Sequence, residues 1–131
     1  MQDVKWMEVL GWGKEQLQEL RFAAFTMLRQ GHYKKAAIYF EGLILLKQDY
    51  AYDQQTLGAL YLQMGLNAEA LARLDQALHL EPNHAPTLMN KAKALLMLGQ
   101  RQEALKLAAS LQKSSNLFIA DDATALILAY S

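Results

Sequence analysis

The chain has 131 residues, 53% of them hydrophobic and 20% charged, with Lys+Arg and Asp+Glu both at 13. That balance excludes an intrinsically disordered chain, and it excludes a global basic field for nucleic acid. Seven Gly and two Pro are too few for a sandwich of many short strands, and the lack of Cys rules out disulfides, thiolate metal sites and cysteine nucleophiles.

In chain order, residues 1–16 read as an N-terminal helix and linker. Met1–Leu10 places Val4, Met7 and Leu10 on one face, carries Asp3 and Glu8, and lacks the long apolar stretch of a secretory signal. Gly11-Trp12-Gly13 breaks it. A 34-residue period then organises the chain. Gly31, Gly65 and Gly99 follow it, as do Ala36, Ala70 and Ala104, and Leu28, Leu62 and Leu96. The units are 17–50, 51–84 and 85–118. Each glycine falls where a first helix must stop and turn. Ala24, Gly58 and Ala92 let paired helices approach closely, as do Ala36, Ala70 and Ala104. Met27, Tyr61, Leu95, Phe40 and Leu74 fill the complementary places. Pro82 ends a second helix and Pro86 suits the first turn of the next one.

Residues 119–131 read as a capping helix with Asp121 and Asp122 at its N-terminus. Its remainder, Ala123–Tyr130, has no charge, so it needs a covering surface: the third unit, a second copy or further chain. Every apolar run falls far short of the roughly 18 residues of a membrane span. The expectation is an all-α, cytoplasmic α-solenoid of three repeats with flanking helices and no membrane insertion.

The period and the helix–turn–helix pattern resemble the tetratricopeptide repeat. In that family the first helices line a concave face, and by resemblance the groove positions are Arg21, Phe25, Leu28, Tyr52, Gln55, Ala59, Leu62, Met89, Lys93, Leu96 and Met97, flanked by Gln18, Arg29, Gln63 and Pro86. Their apolar members form a stripe, and its methionines suit adaptable binding. The family also contains a clamp for a chaperone C-terminal carboxylate. Its positions here hold Arg21, Phe25, Thr56, Pro86 and Asn90. Only Arg21 fits in charge, so that reading is rejected.

From Leu10 to Ala104 the sequence more narrowly resembles the tetratricopeptide chaperones of type III secretion systems. The residues are Leu10-Gly11-Trp12, Glu15-Gln16-Leu17, Gly31-His32-Tyr33-Lys34-Lys35-Ala36, Leu57-Gly58-Ala59, Glu69-Ala70, Glu81-Pro82 and Glu103-Ala104. The resemblance implies a bacterial chaperone without enzymatic activity that keeps a hydrophobic export substrate soluble. The cargo would be a translocator or a needle subunit, the latter with a second small co-chaperone. Val4, Trp6, Met7 and Leu10 are the expected cargo or homodimer contacts. A general scaffold joining folded partners is the alternative.

No catalytic residue, cofactor or metal site is expected. His32, His79 and His84 lack the partners of a base or of a metal set, although His79 and Asp75 stand at i, i+4 spacing. The zero net charge hides an asymmetry, −3 over 51–84 against +4 over 85–118, which suits steering of an acidic segment more than a phosphate track.

Overall fold

The computed structural model describes residues 5–131. Within them lie eight helices: α1 (Trp6–Leu10), α2 (Lys14–Arg29), α3 (Tyr33–Leu46), α4 (Ala51–Gln63), α5 (Asn67–Leu80), α6 (Ala85–Met97), α7 (Arg101–Leu111) and α8 (Leu117–Tyr130). Pairs α2–α3, α4–α5 and α6–α7 are the three helical hairpins of the repeat, and α8 closes the stack against α7 and α6.

The turn inside each hairpin is one motif used three times. Gly31, Gly65 and Gly99 have φ of 80°, 77° and 83°, the left-handed region that costs glycine nothing. Each glycine N–H bonds the carbonyl of Leu28, Leu62 or Leu96, and the next N–H reaches back to Met27, Tyr61 or Leu95. That double closure is the Schellman cap, which satisfies carbonyls left open at a helix end.

Small residues set the packing. Ala24, Ala36, Ala70, Ala92 and Ala104 are all fully buried. Gly58 is the tightest approach: a Cβ there would stand 2.6 Å from Leu74 Cδ2. Phe40 and Leu74 are fully buried against these small residues, and each contributes about 1.5–3 kcal/mol by leaving water. The core falls into three clusters. One joins α2, α3 and α4 around Phe40 and Leu43, with Met7 of α1 against it. A second joins α6, α7 and α8 around Met89, Ala108, Ile119 and Ala123. A small third, Ala70, Leu74 and Ala94, links α5 to α6.

The ends differ from the sequence expectation in detail. Helix α2 starts at Lys14, ahead of Leu17, because Gln16 Oε1 accepts from the Gly13 N–H at 2.7 Å and opens the helix there. Helix α8 starts at Leu117. Its cap is Asn116, whose side chain accepts from the Ile119 N–H, so Asp121 and Asp122 sit a turn further in. Asp122 serves instead as the partner of Lys93 at 2.8 Å. The uncharged stretch of α8 packs its inner face on the third unit. Leu117, Phe118 and Leu128 stay exposed on the other.

Candidate functional site

The first helices α2, α4, α6 and α8 follow one another along the stack. Alternate packing brings α4 beside α6 and α6 beside α8. Between these three lies an apolar depression of about 380 Å³, lined by Leu62, Gln63, Gly65, Asn67, Lys93, Leu96, Met97, Leu126 and Tyr130. Four expected groove residues, Leu62, Lys93, Leu96 and Met97, thus meet in one place. Leu126 and Tyr130 complete it and were missed by the sequence reading, because the repeat frame ends before α8. The signal that marks them is the uncharged run on the capping helix.

The other end of the face is aromatic and polar. Phe25 and Tyr52 are exposed, while Leu28, Gln55 and Ala59 are half-buried. Arg29 stacks over the Phe25 ring with its guanidinium carbon 5.7 Å from the centroid. Gln55 donates to Glu81 Oε1 at 2.9 Å. Arg21 is not a free cation. Its Nε and Nη2 donate to the two oxygens of Asp53 at 2.9 and 2.7 Å, and its guanidinium lies 4.2 Å from the Tyr50 centroid. Those bonds to the Asp53 carboxylate raise the Arg21 pKa further. Asp53 is completely buried, which is rare for a carboxylate. An internal carboxylate therefore already occupies the one cation of the rejected clamp.

One expected groove residue is corrected. Met89 is only 2% exposed, because α7 and α8 close over it, and it belongs to the core. Of the N-terminal contacts, Trp6 and Leu10 are exposed and Met7 is half-buried against the first core cluster. Val4 lies outside the described residues. Trp12 is half-buried, with its backbone N–H bonded to the Met7 carbonyl at 2.8 Å.

His84 Nδ1 lies 2.7 Å from Thr87 Oγ1 at the start of α6. The spacing of His79 and Asp75 does not become an ion pair, since Asp75 turns to Lys91 at 2.9 Å. Among the described residues no three His, Asp or Glu side chains group as a metal site. No helix among them is long and apolar enough to cross a membrane.

Residues 61–116 match the family model of the tetratricopeptide repeat. No curated protein matches the sequence. The fold is similar to solved structures over nine-tenths of the chain. The type III secretion translocator chaperone SycD of Yersinia enterocolitica is 20% identical with a TM-score of 0.80, covering 90% of this chain and 93% of that one. SycD solved with a peptide of the translocator YopD is 23% identical with a TM-score of 0.79, covering 90% and 94%. PcrH, a protein of Pseudomonas aeruginosa, solved with the chaperone binding region of PopD, is 24% identical with a TM-score of 0.76, covering 92% and 94%. The architecture is therefore an all-α solenoid of three helical hairpins with a capping helix, the fold those structures share.

Proposed function

We propose that this chain is a type III secretion chaperone acting in the cytoplasm. It holds an apolar segment of an export substrate along α2, α4, α6 and α8 and keeps that substrate soluble without chemical turnover. The observation that carries the reading is the apolar depression formed by Leu62, Leu96, Met97, Leu126 and Tyr130. Seating one Leu-sized side chain there contributes about 1.5–3 kcal/mol by burial, so several anchors spread along the face are needed to offset the cost of ordering the segment. The likeness to chaperones solved with translocator segments favours a translocator as cargo over a needle subunit.

The test is affinity purification from the native cell followed by mass spectrometry, with the chain and its Met97→Asp variant side by side. Met97 is 63% exposed, so a charge there leaves the fold intact. The expected result is a secreted protein that precipitates when made alone and is depleted at least tenfold by Met97→Asp. Recovery of only folded metabolic or signalling proteins overturns the reading and favours a scaffold.

A further inference from the structure

The four first helices are not evenly spaced. Some Cα atoms of α4 and α6 lie within 8 Å of each other, as do some of α6 and α8, but none of α2 comes that close to α4. At this junction the gap is spanned by side chains. Arg21 reaches from α2 to Asp53 on α4 with two parallel hydrogen bonds, and Gln18 accepts a third from Nη1 at 3.3 Å. The Arg21 and Asp53 side chains are 12% and 0% exposed, and Tyr50 covers the guanidinium with Tyr52 set edge-on against it. A planar fork on a carboxylate fixes both distance and angle, which a point charge does not.

The pair is not a feature of the repeat. One unit on, the same two positions hold Gln55 and Thr87. There Gln55 bonds Glu81 instead, and α4 meets α6 directly. At the last junction the ion pair Lys93–Asp122 spans α6 and α8, but both groups are substantially exposed and the helices already touch. An exposed pair of that kind contributes little.

We propose that Arg21 and Asp53 are positioning residues: their ion pair is a strut that holds α2 at a fixed spacing from α4 and so sets the width of the groove beside Phe25 and Tyr52. Its functional meaning rests on the groove reading above, whereas the spacing is measurable with no partner present, so the two fail separately. Asp53 also keeps the Arg21 charge satisfied from within.

The chain has no native cysteine, so nitroxide labels go only where they are placed. Labels at Glu19→Cys and Gln63→Cys, exposed positions on α2 and α4, report the spacing by pulsed electron–electron resonance. Two backgrounds are compared with the parent chain. Replacing a buried ion pair with apolar residues of similar volume often preserves stability, so Arg21→Met with Asp53→Leu keeps the fold and removes the fork. Arg21→Lys keeps the charge and loses the paired geometry. The parent should give one narrow distance distribution. The double variant should shift and broaden it while its unfolding midpoint holds, and Arg21→Lys should broaden it to a lesser degree. A parent-like distribution in a folded double variant overturns the proposal. Should the double variant not fold, a parent-like distribution in Arg21→Lys does so.

Discussion

Gly58 and Leu74 offer a close reading of how this stack is packed. An alanine Cβ at position 58 would lie 2.6 Å from Leu74 Cδ2, 2.8 Å from its Cγ and 3.2 Å from its backbone nitrogen. Leu74 is fully buried and has nowhere to swing. Overpacking of this kind costs about 1–3 kcal/mol. Alanine's helical preference over glycine returns about 1 kcal/mol. Gly58→Ala should therefore destabilise by about 1 kcal/mol net, lowering Tm by about 3–5 °C at this chain length. Leu74→Ala alone leaves a cavity and should cost about 2–5 kcal/mol. In that background the two side-chain clashes are gone and only the approach to the backbone nitrogen remains, so Gly58→Ala should stabilise by up to about 1 kcal/mol. The third unit already carries this combination, with Ala92 and Ala108 both fully buried at the equivalent positions. Urea titrations of the four proteins, followed by far-ultraviolet circular dichroism, give a coupling of up to about 2 kcal/mol if the steric account holds. A Gly58→Ala effect of the same sign in both backgrounds would refute it.

Three further outcomes follow from local geometry. Gly65→Val should cost about 1–2 kcal/mol from the backbone alone, since φ is 77° and an added Cβ meets nothing within 4 Å; an unchanged melting temperature would sink the turn assignment. Asn116→Ala removes the side-chain cap of α8 and should cost about 1 kcal/mol, read as faster amide exchange at Ile119. The Tyr61 phenol is pushed up to about 12 by burial and by its hydrogen bond to the Glu41 carboxylate. Because the folded value lies above the ordinary value near 10, this group's contribution to stability is full below pH 10 and is lost as pH rises towards 12. Absorbance titration at about 295 nm should show a late tyrosine step that Tyr61→Phe removes; loss of an ordinary step near pH 10 instead would contradict the assignment.

The solenoid was legible because its determinants are local and periodic. The left-handed glycine turns and the small-residue positions recur every 34 residues, and each has one physical reason that a sequence displays. The groove was only partly legible. Whether Met89 is surface or core depends on α7 and α8 closing over it, which no property of its own turn reveals. Arg21 looks like a free cation until Asp53 is placed opposite it, 32 residues later and across a gap between helices. Leu126 and Tyr130 enter the site only because α8 takes the place of another first helix. Each of these outcomes is set by packing between units, and the repeat pattern is silent about that.

The division of the core into three clusters bears on how the molecule yields to force. Two larger clusters sit at the ends, while between them Ala70, Leu74 and Ala94 are buried with Tyr61, Leu62 and Leu71 packed half-buried against them. Two of the three buried side chains are single methyl groups, so the partly buried Tyr61, Leu62 and Leu71 supply most of the apolar surface at this seam. Under force the middle junction should therefore be the one most sensitive to solvent, because water already reaches the side chains that pack it.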